Sequence, residues 1–174
     1  TNPATRLFHC YLGFASGVCY CKMVTCFPLI LVMDVVELAK TLIAIPSETR
    51  ISNRAVSDCI AETLRSTGFE LEEVVFFDQN VEKVSLVAKK GKGSGGLGFF
   101  SHSDTVPGGE GWDPFRPVVK EGRLIGRGSC DTKGLIAASI AATADLNPDT
   151  LSQPVYIVVA SDEEIGLLGA RRVV

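Results

Sequence analysis

Histidine is scarce in this chain: His9 and His102 are the only two among 174 residues. Outside residues 1–32 no second histidine is present to activate Cys130 as a nucleophile, so thiol catalysis is set aside. A serine triad is excluded too. Ser103 sits between His102 and Asp104, but sequence neighbours in a strand alternate faces and do not meet in triad geometry. No CxxC pair occurs among the six cysteines, and Cys19-x-Cys21-x4-Cys26 is not a usual zinc spacing. A disulfide framework is therefore not expected, and a reducing, cytoplasmic compartment is. Basic runs and basic–aromatic patterns are lacking, which removes nucleic acid as a partner. A phosphate-loop signature is lacking as well. "GKGSGGLG" (Gly91–Gly98) has no terminal Gly-Lys-Ser/Thr and precedes an apolar strand instead of a helix, so it reads as a hairpin loop. There are no internal repeats.

The remaining features describe one globular domain. Hydrophobic residues make up 46% of the chain and the net charge is −3, enough for a real core. Residues 1–32 look foreign to the rest of the chain. Four of the six cysteines crowd there (Cys10, Cys19, Cys21, Cys26), and two apolar runs flank Lys22. No small-residue cleavage site closes the first run. As a membrane span, the segment would place Lys22 near mid-bilayer, at roughly 2.5–3.5 kcal/mol on insertion scales. Residues 1–32 therefore read as a leader of doubtful status, an upstream translation product or vestigial leader, with the working domain starting at Met33. A membrane anchor over residues 11–33 is the alternative.

From Met33 the pattern is regular. Asp34 is a plausible N-cap, Val35, Leu38, Ala39 and Leu42 share a helical face, and Pro46 ends the helix. A second helix is expected over about 52–67, with the stripe Val56, Cys59, Ile60, Thr63, Leu64 and with Gly68 closing it. Strands are expected near Glu70–Phe77, near Val84–Lys89, in "LGFFSHSD" and in "PVYIVVAS". A hairpin turns at Glu121–Gly122, and an alanine-rich helix runs from about Lys133 to Leu146. Strands alternating with helices predict an α/β sandwich around a mostly parallel or mixed sheet.

Three polar clusters fall at element ends: "SHSD" (101–104), "SCDTKG" (129–134) and "SDEE" (161–164). Taken singly, each has an ordinary explanation: a hydrogen-bonded turn, a helix cap at Asp131, and acidic residues at a helix start. In open α/β sheets, however, sites form outside the carboxyl ends of strands, so the three can meet. His102 and Asp104 are two apart, and Asp104 can accept from the imidazole N–H that faces away from a metal. Asp131 can bridge two cations. Glu163 and Glu164 are neighbours, so one can ligate while the other serves as general base. Imidazole plus carboxylates suits Zn²⁺, with Mn²⁺ or Co²⁺ as alternatives.

"SHSDTVP", "GWDPF", "GRLIGRGSCDTKG" and "SDEEIGLLGA", in this order and spacing, resemble the M20 family of zinc metallopeptidases and amidohydrolases. That family includes acetylornithine deacetylase and succinyl-diaminopimelate desuccinylase. "LIAIPSET" fits its N-terminal signature, and the resemblance runs from about Val35 to the end. It implies an α/β/α sandwich with a mostly parallel mixed sheet, the zinc-peptidase-like catalytic domain. It also implies two divalent ions, His102, Asp131 and Glu164 as metal ligands, Asp104 as orienting residue, Glu163 as general base, and a cis Asp131–Thr132 bond. The implied substrates are N-acyl amino acids or small peptides, and the full-length form would be a homodimer. "GWDPF", "SCDTKG" and "EIGLLGARR" look closest to the acetylornithine deacetylase branch. Two further ligands and a lid or dimerisation domain of the family have no counterpart here. Residues 33–174 are thus expected to be the N-terminal part of the catalytic domain: truncated, with an exposed sheet edge, weak in metal binding and inactive alone. The alternatives are a dipeptidase or carboxypeptidase of the same family, or a non-catalytic binding module that keeps the fold.

Overall fold

The structure is a computed structural model. It describes residues 10–15, 18–23 and 33–173, the first two segments as backbone only. Residues 1–32 and 33–174 form two separate compact units. In the first, β1 (Cys10–Ala15) pairs antiparallel with β2 (Val18–Met23), Cys10 opposite Met23. Otherwise the expected leader or anchor lies outside the described residues. No described helix is long and apolar enough to cross a membrane.

The second unit opens with α1 (Val35–Ala44). Asp34 caps it as expected, its carboxylate accepting from Val36 N–H at 2.9 Å and Glu37 N–H at 3.2 Å. The buried face is Ala39, Leu42 and Ile43. Helix α2 (Arg54–Ser66) starts two residues later than its pattern predicts. Asn53 precedes it but does not cap it; its side chain turns inward to the Val84 carbonyl (2.7 Å), the Val84 N–H (2.9 Å) and Ser103 Oγ (2.7 Å).

Strands β3 (Glu70–Asp78) and β4 (Val81–Lys90) form a hairpin whose turn residues, Gln79 and Asn80, both have positive φ. Strand β5 (Leu97–His102), the small hairpin β6 (Val118–Lys120) and β7 (Arg123–Ile125), α3 (Lys133–Thr143), β8 (Val155–Ala160) and the short α4 (Ala170–Val173) complete the unit. The β6–β7 hairpin turns at Glu121–Gly122, as its sequence predicts.

The main sheet has the order β3-β4-β8-β5, with β3/β4 and β4/β8 antiparallel and β5/β8 parallel. The α/β expectation holds with a mixed sheet, in which one of the three pairings is parallel. The Gly91–Gly98 segment does not close a hairpin. It carries the chain from β4 past β8 to β5, and at Gly96 a Cβ would lie 2.0 Å from the Pro154 carbonyl. The strand that separates β4 from β5 comes much later in sequence, so local pattern could not reveal it.

Helices α1, α2 and α3 bury one sheet face. The core joins Leu42, Ile60 and Leu64, Val84 and Leu86, Ile136 and Ile140, and Ile157 and Val159. Burial of these aliphatic groups is the main source of stability. On the opposite face lie Val87, Val158 and the exposed Phe100, with Ala170 and Val173 of α4 beside them around a cleft of about 380 Å³. Arg172 of α4 stacks on Phe76, 4.3 Å from the ring centre.

Candidate metal centre

Strands β5 and β8 are parallel neighbours with His102 opposite Ala160, so their carboxyl ends are side by side. That register brings the first and third polar clusters to one rim. The second cluster is tied in by Thr132. Its hydroxyl accepts the His102 N–H at 3.1 Å and donates to the His102 carbonyl at 2.6 Å, extending the edge of β5. The Asp131–Thr132 peptide is cis, as the family resemblance implies.

His102 is buried, with 5% of its surface exposed. Its Nε2 lies 2.9 Å from Asp131 Oδ1 and 3.8 Å from Glu163 Oε2. His102, Glu163 and Glu164 each present a ligand atom within 4.8 Å of the others. Asp131, largely exposed, meets His102 from outside that trio. Nδ1 of His102 is 2.9 Å from the Asp104 carbonyl and 3.5 Å from Asp104 Oδ1. The nearer partner is thus a backbone oxygen. The Asp104 carboxylate also accepts the backbone N–H groups of Glu163 (3.1 Å) and Glu164 (3.2 Å). Strand β5 ends at His102, so Asp104 is free to turn toward that second partner.

The electrostatics follow. Burial penalises the His102 cation, but the Asp104 carboxylate and then Asp131 outweigh it, and the imidazole is pushed up to about 9. Asp104 is lowered: burial opposes its charge, and the His102 ring and the two backbone N–H donors favour it more. Glu164 is raised by burial first and then by Asp131, with Glu163 and Asp104 adding to it. Carboxylates that hinder one another's ionisation around a buried imidazole are what a divalent cation would relieve, and the N/O donor set suits zinc-type ions. The residues present therefore fit such a group.

Neither ordinary explanation of the acidic clusters applies here. The N-cap of α3 is Thr132, without a side-chain cap bond, so Asp131 is no helix cap. Glu163 and Glu164 lie in a turn before α4, not in a helix. Cys59 and Cys130 are free thiols.

Several supporting groups carry no signal in the sequence. Lys83, 1% exposed, forms a buried ion pair with Asp162 at 2.7 Å. Lys133, fully buried, donates to the Ile45 carbonyl at 2.6 Å and ties α3 to the end of α1. Desolvation brings that ammonium down to about 8. Ser47 donates to the Ser103 carbonyl at 2.6 Å, and Glu48 accepts the Gly108 N–H at 3.0 Å. Lysine pattern alone reads as surface charge, and only contacts across dozens of positions show otherwise.

A mixed α/β sheet with His102, Glu163 and Glu164 gathered at the ends of its parallel strands, and Asp131 beside them, has a zinc-peptidase-like fold. Residues 98–174 match the model of peptidase family M20/M25/M40. It is 40% identical over 145 residues to an acetylornithine deacetylase of Proteus mirabilis, covering 78% of this chain and 37% of the relative. Against a succinyl-diaminopimelate desuccinylase of Acidiphilium cryptum the identity is 38%, over 80% of this chain and 37% of the relative. The chain thus spans a little over a third of the length of these curated relatives. Among solved structures, human carnosine dipeptidase 1 shares the fold, with a TM-score of 0.64 at 22% identity over 80% of this chain and 34% of that one.

Proposed function

We propose that the chain carries part of the catalytic centre of a metal-dependent amidohydrolase that cleaves the amide bond of N-acyl amino acids. The observation that carries this is the meeting of His102 with Asp131, Glu163 and Glu164 at one rim, in a chain about 40% identical to proteins named acetylornithine deacetylase. In this reading His102, Asp131 and Glu164 hold divalent metal, two ions of zinc type. When bound, these would polarise the scissile carbonyl and acidify a water molecule. Asp104 orients the imidazole through Nδ1, as outer partners of metal-bound histidines do.

Glu163 is the general base. Its side chain is 41% exposed at the rim, and its carboxylate accepts no hydrogen bond from the described residues, so it is free to take a proton. It removes one from the attacking water and returns it to the departing amine as the C–N bond breaks. The products are a carboxylate and a free amino acid. Substrates are small molecules. A cytoplasmic location and a homodimer of the full-length form belong to the same proposal.

Zinc titration by calorimetry separates the roles. Glu164→Gln should weaken binding, whereas Glu163→Gln should leave it near wild type. Equal loss in both variants would contradict the division of labour. A two-ion centre needs donors beyond these residues, so the chain alone is expected to release no acetate from N-acetylornithine. Rapid metal-dependent release would overturn that expectation.

A further inference from the structure

We propose that the buried pair Lys83–Asp162 is a positioning device that fixes the turn carrying Glu163 and Glu164; the inference rests on the metal-centre reading above. The turn is held residue by residue from different elements. Ser161 N–H donates to Ser85 Oγ on β4 at 3.1 Å. Asp162 Oδ1 accepts from Lys83 Nζ, also on β4, at 2.7 Å. Glu163 and Glu164 N–H both go to Asp104, just past β5. Ser161 Oγ also meets Ser85 Oγ at 3.2 Å, and Asp162 is the charged side chain by which the turn itself is anchored.

The pair is closed to water, with Lys83 1% and Asp162 0% exposed. Lys83 uses all three of its N–H donors: on Asp162, on the Thr49 carbonyl at 2.6 Å and on the Ile51 carbonyl at 2.9 Å. A tetrahedral ammonium serves three acceptors in three directions from one nitrogen, whereas the donors of a guanidinium lie in one plane and are spread over three nitrogens. The same nitrogen therefore joins the loop after α1 to the turn after β8. That loop is itself laced to the rim, since Thr49 N–H donates to the Thr105 carbonyl at 3.1 Å and Thr105 N–H to the Ser47 carbonyl at 3.0 Å.

Asp162 has two independent reasons to be an acid of this shape. Its φ of 51° lies in the left-handed region, which Asp and Asn tolerate better than most residues. Its second oxygen, Oδ2, is buried without a partner among the described residues, so Lys83 is its sole hydrogen-bond donor there. A buried ion pair gives little net stability over well-packed apolar groups, but removing one member leaves an uncompensated charge. Without the ammonium, the Asp162 carboxylate would swing out to water and take the backbone of the Glu pair with it.

Three variants of the 174-residue chain test this: Lys83→Met, Asp162→Asn and the double change. Hydrogen exchange of segment 161–169 is read without metal, and Co²⁺ binding is read by titration and by the cobalt absorption spectrum. Lys83→Met should speed exchange in 161–169 by about tenfold or more while α2 and β3 keep their protection. It should also weaken Co²⁺ binding by about tenfold and alter the spectrum, the size seen when outer partners of metal ligands are lost. The double variant removes both charges, so it should regain the thermal midpoint without regaining affinity. Asp162→Asn keeps shape and backbone, and serves the same test if Lys83→Met does not fold.

Exchange in 161–169 that is unchanged, or that rises only in step with the whole core, would overturn the inference. So would a double variant that recovers affinity together with stability. If the wild-type chain takes up no Co²⁺, the metal reading fails, and localised loosening of 161–169 alone then upholds or overturns the clamp.

Discussion

The Asp104 carboxylate accepts the backbone N–H of Glu163 at 3.1 Å, across 59 positions of sequence. Asp104 also faces the His102 ring, 3.5 Å from Nδ1. One side chain therefore sets the imidazole and the acidic turn relative to each other. Asp104→Ala should leave two N–H groups without acceptors, at about 1–3 kcal/mol of stability. It should also weaken metal binding by about 10–100-fold. Urea unfolding and zinc titration measure the two effects, and Asp104→Asn, which keeps an acceptor oxygen, should be milder in both.

Gly169 is the second control on the same turn. A Cβ there would lie 2.3 Å from the Ser161 carbonyl and 2.6 Å from the Ser161 nitrogen, both backbone atoms that cannot swing aside. Gly169→Ala should cost about 1–3 kcal/mol as overpacking and should weaken metal binding more than a surface glycine change does. Gly122→Ala, with open space around the site but positive φ, should affect stability alone. Thermal unfolding and zinc titration of both variants check this.

Helix α1 is legible from Asp34, its apolar stripe and Pro46, because every one of those signals acts within a turn or two. The start of α2 is not, since Asn53 is drawn away from the cap by Val84 and Ser103, 31 and 50 positions distant. The meeting of the candidate residues His102, Asp131, Glu163 and Glu164 is legible because the motifs that carry them are contiguous and fall at or next to element ends. Lys83 and Asp162 are not. Their partnership spans 79 positions, and neither residue type carries burial in its pattern. The Gly91–Gly98 loop reads as a hairpin for the same reason: the insertion of β8 between β4 and β5 is a non-local fact.

Arg54 gives a prediction about acid. Its guanidinium bonds Glu73 at 2.9 Å and Glu82 at 2.8 Å, and reaches Asp58 at 3.3 Å. Glu73 is held below the usual carboxylate range, first by Arg65 and then by Arg54, and Glu82 is held low by Arg54. Depressed folded-state values mean stability that is present above the ordinary glutamate value and lost as pH falls through the lowered ones. Arg54→Met should therefore lower the urea midpoint at pH 7, and the gap to wild type should close as pH falls below the ordinary glutamate range and through the lowered values. Added salt should narrow the gap at pH 7 because the groups are partly exposed.

Asn53→Ala should remove four buried hydrogen bonds at once and leave the Val84 N–H without its side-chain partner and the Val84 carbonyl with only the longer one from Ser57. A loss of about 1–3 kcal/mol is expected. Metal affinity should fall less than in Asp104→Ala, because Asn53 touches Ser103 and not the ligands. Circular dichroism melts and zinc titration compare the two.

The most direct measurement is the cobalt spectrum of the chain with and without His102. On this account Co²⁺ added to the wild-type chain gives an absorption band of a nitrogen–oxygen site, and the band is lost in His102→Ala and weakened in Glu164→Gln. The same band in all three proteins, or none in the wild type at millimolar Co²⁺, would contradict a metal centre built on His102.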